Sequence, residues 1–183
     1  MQLILIHGAP ATGKLTVGRA LARLTETPLV DNHAAIDIGR MVFGFAQPGF
    51  WDLVHKLRLT TLSVAAEAGV PRLITTAAYS HPVDEPLLAD YDRAIAPFGG
   101  VIVPVHVHCS EATLMARVTE PERAQKGKIA SEEGLRQYLD RNNFAAIPRE
   151  TCLSLSTEDT APEETAAKIA RHFGIPVVLD GGG

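Results

Sequence analysis

The chain has only two cysteines in 183 residues, Cys109 and Cys152, and they form neither a CxxC pair nor part of a metal-ligand cluster. A disulfide framework is therefore excluded, and with it any argument for secretion. Both thiols are expected as small, buried apolar residues at strand positions. Basic charge is not in excess: 17 Lys and Arg face 21 Asp and Glu, for a net charge of -4. Such a balance argues against a nucleic-acid partner, although a local basic patch could still serve a phosphorylated small molecule. No apolar run approaches the roughly 20 residues that span a bilayer. The N-terminus has no basic segment of the signal-peptide kind, so no membrane partner and a cytoplasmic location are expected. No internal repeat, low-complexity block or interdomain linker stands out. A G-x-S-x-G elbow and a Cys–His pair are also missing, which leaves acyl-transfer chemistry without a signal.

What is present suits one globular domain. The composition is 46% hydrophobic and 21% charged, too apolar for disorder. A single domain over residues 1–180 is expected, with Gly181, Gly182 and Gly183 as a flexible tail, in a monomer or homodimer.

Residues 3–6 form a short, continuous apolar run of the kind that suits a buried parallel strand. A helix carrying Val17, Leu21 and Leu24 follows, then a strand over 28–31 and a helix with Ile36, Ile38 and Met41. Residues 51–68 read as the longest helix, with Val54, Leu57, Thr61, Val64 and Ala68 as its stripe. Residues 72–76 are a third strand and 83–98 a helix. A fourth strand spans 101–107, and Pro104 demotes it towards an edge or a bulge. Ser110 caps the next helix. Residues 120–130 are polar and aperiodic, and Ser131 opens another helix. Residues 151–156 are the fifth strand. Thr160 and Glu163 predict a capping box for the last helix, with Pro162 in its first turn. This alternation implies a parallel sheet with helices on both faces. Ligands of such sheets bind beyond the carboxyl ends of the strands, so the polar residues there weigh most.

Gly8-Ala9-Pro10-Ala11-Thr12-Gly13-Lys14 matches G-x-x-x-x-G-K between the first strand and the first helix, the context the motif requires. Its glycines let backbone N–H groups turn inward, and the helix N-terminus adds a positive dipole end. Lys14 supplies a mobile positive charge. The residue after it is Leu15, where Ser or Thr usually binds Mg²⁺, and Thr16 comes next. The loop therefore predicts ATP binding by residues 8–16. Thr16 is the candidate for a phosphate or a metal-bound water.

With these residues in place, the chain resembles the small P-loop kinases: shikimate kinase, gluconate kinase, chloramphenicol phosphotransferase and adenylate kinase, and the bacterial ATPases near them. Adenylate kinases likewise lack a hydroxyl directly after the lysine. The resemblance implies a three-layer α/β/α P-loop nucleoside triphosphate hydrolase fold with a five-stranded parallel sheet ordered 2-3-1-4-5. It also implies a small lid over about 118–130, ATP with Mg²⁺, and phosphoryl transfer to a small acceptor. It places Asp31 where shikimate kinase has an acidic acceptor contact, and Thr75 and Thr76 where an acidic metal contact is common. Arg117 and the residues up to Lys128 match the lid that brings arginines to the phosphates.

Phosphoryl transfer needs positioning and charge neutralisation. Asp31 is the first candidate to take the acceptor's proton or to hold Mg²⁺ through water, and it equally suits a helix N-cap. His33, four residues before Asp37, could be a second acceptor contact or a surface histidine. Lys14, Arg117 and Arg123 are the candidate cations at the transferring group, with Lys126, Lys128 and Arg141 behind them. Glu120 and Glu122 allow the lid to be a plain mixed-charge loop. Phe43, Phe45, Phe50 and Trp51 could stack on a substrate or pack in the core. Tyr79, Ser80 and His81 could line the acceptor pocket, whereas His7, His106 and His108 lack ligand spacing. The leading expectation is an ATP-dependent small-molecule kinase. The alternatives are an ATP-binding protein or weak ATPase without a metabolite acceptor, in a regulatory or resistance-associated role, and a structural protein with a relic loop.

Overall fold

A computed structural model describes residues 1–121 and 128–178. The strands are β1 (Gln2–His7), β2 (Leu29–Val30), β3 (Arg72–Ala77), β4 (Val101–His108) and β5 (Leu153–Ser156). The helices are α1 (Lys14–Thr25), α2 (Asn32–Val42), α3 (Phe50–Glu67), α4 (Glu85–Ile95), α5 (Glu111–Val118), α6 (Glu132–Asp140) and α7 (Pro162–His172). All five strands are parallel, in the order β2-β3-β1-β4-β5.

The alternation of side chains along β1 divides the core. Ile4 and Ile6 pack with Val17 and Leu21 of α1 and with Ala166, Ile169 and Ala170 of α7. Leu3 and Leu5 face the other way, onto Leu62 and Ala66 of α3 and Leu88 and Ile95 of α4. Both faces of the sheet are therefore covered, which is why β1 is apolar at successive positions. The result is the three-layer α/β/α arrangement.

Three expectations about the elements need correction. Pro104 does not mark an edge, because β4 pairs with β1 on one side and with β5 on the other. β5 begins only opposite Val105, so on that side no ladder partner stands level with the proline that lacks an N–H. The stripe assigned to α3 holds at Val54 and, half-buried, at Leu57, but Thr61, Val64 and Ala68 are exposed. Its buried residues are Phe50, Val54, Leu62 and Ala66, while Val64 is exposed. The helix is apolar around much of its circumference, so periodicity alone could not choose the face. Finally, α7 has no capping box. Ala161 is its N-cap, without a side-chain bond, and the Thr160 hydroxyl donates to the Glu158 carbonyl instead (2.9 Å). Ser110 and Ser131, by contrast, accept the N–H groups of Thr113 and Gly134 and cap α5 and α6.

The cysteines sit just outside the strands and are only half-buried. Among the described residues, no helix is long and apolar enough to cross a membrane.

Candidate functional site

The turn between β1 and α1 forms at the carboxyl end of the central strand. Gly8 has φ +146°, and a Cβ there would lie 2.2 Å from the Val107 carbonyl oxygen of β4. Gly13 has φ +86° with nothing within 4 Å of a Cβ. Replacing Gly8 by Ala is therefore expected to cost about 2–4 kcal/mol, from a clash with rigid backbone added to strain. Gly13→Ala should cost about 1–2 kcal/mol, from strain alone. Urea unfolding of the two variants checks the difference. Ala11 also has positive φ, at 68°. A non-glycine residue held there stores strain, which is common where a turn is shaped for a ligand.

The turn is braced from inside and from behind. The Thr12 hydroxyl donates to the Ala9 carbonyl (2.9 Å). The Thr157 hydroxyl, just past β5, donates to the Thr12 carbonyl (2.9 Å). Arg117 donates in turn to the Thr157 carbonyl (2.9 Å) and hydroxyl (3.3 Å), and lies 3.7 Å from the Cys109 sulfur. These bonds tie the guanidinium to the segment that holds the turn.

Lys14 Nζ curls back over the turn and donates to the Gly8 (2.8 Å) and Ala9 (2.5 Å) carbonyls. Gly13 is the N-cap of α1, with no side-chain cap and no acidic residue in the first turn. The first bond into the helix runs from Val17 N–H to the Gly13 carbonyl (2.9 Å), so the helix itself does not consume the amides before it. Lys14 and the N-terminus of α1, whose first turn carries no acidic residue, are of the kind that attracts an anion. Leu15 is half-buried and Thr16 is exposed on the first turn.

Asp31 stands at the end of β2 and occupies the N-cap position of α2, yet its side chain makes no capping bond. Its Oδ1 instead accepts the Thr76 hydroxyl (2.9 Å), and Thr76 Oγ1 accepts the Asn32 N–H (3.2 Å). Thr76, at the end of β3, thus fixes the carboxylate's direction. Beside Asp31 a recess of about 100 Å³ opens between α2, α3 and α4, and Arg58, Thr75 and Tyr91 are among its lining residues. Sequence reasoning missed Arg58, which stands between Leu57 and Leu59, two residues after Lys56. Polarity at that position was the available signal.

Two expected neighbours are elsewhere. His33 does not line the recess. Its Nδ1 is buried without a hydrogen-bond partner, and its pKa is pushed down by burial first and by the nearby Lys128 charge second. Tyr79 lines a different recess, with Leu88, Asp92 and Ile147. Its ring stands edge-on to His7 at 5.7 Å. His81 Nδ1 pairs with Glu85 (3.2 Å) and the Ser80 hydroxyl accepts the Asn143 N–H. Arg141 is exposed. Phe50 is fully buried, whereas Phe45 and Trp51 are exposed. Arg123, Lys126 and the rest of residues 122–127 of the expected lid fall outside the described residues.

Beneath the turn, His7, His106 and His108 stack with centroid spacings of 5.1 and 5.3 Å. His106 Nε2 donates to the Phe144 carbonyl, and because burial lowers its pKa the ring is neutral at pH 7, so its Nδ1 accepts from the Ser154 hydroxyl. His7 Nε2 accepts the Ile147 N–H (3.5 Å) and lies 3.8 Å from the Cys152 sulfur, a Cys–His contact that spacing did not reveal. Its Nδ1 is buried without a partner. Burial first, then His106 and Lys14, lowers the His7 pKa to about 3, and burial raises that of Cys152. The pair is therefore neutral. Among the described residues, no group of three or more His, Cys, Asp or Glu is placed to hold a metal ion.

A pH dependence follows. Below pH 6.5 the unfolded chain protonates His7 while the folded chain does not, so stability is lost as pH falls from 6.5 towards 3. By pH 5 the loss from His7 is about 2 kcal/mol. His106, also shifted down by burial, adds in the same direction. Urea unfolding between pH 7.5 and pH 5, on the order of half a unit apart, should show a shallower acid limb for His7→Asn than for the parent.

Neither a protein-family model nor a curated protein sequence matches the chain. Solved structures do resemble it. A sugar kinase from Janibacter sp. has a TM-score of 0.69 at 16% identity, over 96% of this chain and 95% of that one. The tunicamycin resistance protein of Deinococcus radiodurans has a TM-score of 0.63 at 16% identity, over 98% and 99%. Shikimate kinase from Acinetobacter baumannii, in complex with shikimate, has a TM-score of 0.60 at 18% identity, over 93% and 92%. The fold is thus the P-loop kinase fold of the shikimate kinase and gluconokinase type, with the sheet order that the resemblance implied.

Proposed function

We propose that this protein is an ATP-dependent kinase of a small hydroxylated molecule. The observation that carries the reading is Lys14 Nζ folded over a strained, uncapped turn at the head of α1, with a carboxylate, Asp31, at the end of the strand two places along the sheet. ATP would lay its phosphates on the amides of residues 8–16, with Lys14 exchanging its carbonyl partners for β- and γ-oxygens. The acceptor hydroxyl would attack the γ-phosphorus as the bond to the ADP oxygen breaks, and its proton would pass to Asp31. ATP and alcohol become ADP, phosphate ester and a proton.

Mg²⁺ would arrive on the nucleotide and neutralise phosphate charge. Asp31, its Oδ1 already fixed by Thr76, fits a contact through water, and exposed Thr16 is a weaker candidate. Leu15 offers no ligand. Arg117 serves this reading by bracing the turn through Thr157, and Arg123 remains the arginine proposed for the transferring group. The partners are a nucleotide and a small acceptor, within one domain over 1–180.

Leu15 after Lys14, and threonines rather than an acid at the end of β3, favour a second reading, an ATPase without a metabolite acceptor. ADP formation across a panel of hydroxylated acids, sugars and alcohols separates the two. The kinase reading expects ADP formation to rise with one acceptor class. ADP formation at one rate across the panel would mean the ATPase.

A further inference from the structure

We infer that the recess between α4 and residues 147–149 is a second binding site, which takes a small apolar amine with its ammonium on Glu85 and its carbon body on Leu88 and Ile147. It is distinct from the recess beside Asp31 and goes beyond the kinase reading.

The recess measures about 230 Å³ and shares no lining residue with the one beside Asp31. One wall comes from α4. Glu85, Leu88, Ala89 and Asp92 fall on a single face of that helix, at i, i+3, i+4 and i+7. Tyr91, on another face, lines the recess beside Asp31 instead. Ile147, Pro148 and Arg149 make the opposite wall, and Tyr79 completes the lining. Leu88, Ile147 and Tyr79 belong to the core on this side of the sheet, so the floor is apolar and held in place.

The charges select the ligand. At one end Arg149 donates to both carboxylate oxygens of Asp92, at 3.2 Å to Oδ1, and the two charges offset each other. Glu85 stands at the other end, about 10 Å away along the helix axis, and the lining holds no second Lys or Arg to balance it. Its neighbour is His81, whose Nδ1 lies 3.2 Å from Glu85 Oε1. The same nitrogen lies 3.4 Å from the Tyr79 hydroxyl. Nδ1 carries either a proton or a lone pair, so it donates to Glu85 or accepts from Tyr79, never both. Tyr79 is only 2% exposed, and a buried hydroxyl left without an acceptor is costly. An ammonium on Glu85 removes the conflict. It gives the carboxylate a donor and releases Nδ1 to accept the tyrosine O–H. An anion would meet Glu85, and a polyol would bury hydroxyls against carbon.

Calorimetric titration at pH 8 with phenethylamine, phenylacetate and ethylamine tests the site. Phenethylamine should bind with a stoichiometry of about one per chain. Phenylacetate keeps the ring and reverses the charge, and ethylamine keeps the charge without the ring. Each should bind at least about tenfold more weakly than phenethylamine. Glu85→Gln should weaken phenethylamine on the order of tenfold, and Ala89→Phe, which fills the recess from α4, should abolish its binding. Asp31→Asn should leave its affinity unchanged.

Equal binding of phenethylamine and phenylacetate overturns the inference, as does no binding of phenethylamine at millimolar concentration. Affinity that survives Glu85→Gln, or that is lost with Asp31→Asn, overturns it too. Should Ala89→Phe fail to fold, Glu85→Gln still decides, because that side chain is 55% exposed. ATP takes no part in these titrations, so their failure leaves the kinase reading standing.

Discussion

Lys14→Ala is expected to lower kcat/KM for phosphoryl transfer by roughly 10²–10³, the usual loss when one preorganised donor to developing charge is removed. The side chain spends its hydrogen bonds on the Gly8 and Ala9 carbonyls, so the substitution removes charge from the turn without opening the core. The unfolding midpoint should therefore change little. Steady-state kinetics beside a thermal melt checks both halves. A rate loss accompanied by unfolding would show that Lys14 holds the turn together, and an unchanged rate would remove it from the chemistry.

Asp31→Asn is expected to lower kcat by roughly 10²–10⁴, the range for losing a positioned general base. Loss of a helix cap would predict a different result, about 1 kcal/mol of stability with little effect on rate. The structure separates these cases in advance, because Asp31 holds the cap position without making the capping bond and its Oδ1 accepts from Thr76. Thr76→Val should give a smaller fall in kcat, since it leaves the carboxylate present but unaimed. Both variants are read by kcat at saturating ATP and by urea unfolding.

The parts that could be read from the chain were those governed by local rules. A G-x-x-x-x-G-K stretch between an apolar run and a helical period dictates a tight turn from strand to helix, and β1, the turn and α1 follow from it. Ser110 and Ser131 announced their helices because capping is a contact across three residues. Asp31 was visible as a polar residue ending a strand. What escaped depended on distance along the chain. Thr76 aims Asp31 across 45 positions and Thr157 braces Thr12 across 145, and no spacing rule reaches that far. Arg58 sits among leucines whose pattern says only that the helix is buried. Tyr79 and His33 follow strand ends, as acceptor contacts would, yet neither lines the recess beside Asp31, and Tyr79 lines a separate one. Pro104 misled because a rule about missing donors matters only where a neighbouring strand is present to accept.

Calorimetric titration with inorganic triphosphate, alone and in competition with ATP, tests the polyphosphate cradle most directly. If main-chain amides and Lys14 hold the phosphates, triphosphate binds with a stoichiometry of about one per chain and displaces ATP, and Lys14→Ala weakens both alike. ATP binding that triphosphate cannot displace, or that survives Lys14→Ala unchanged, would place the nucleotide somewhere other than this turn.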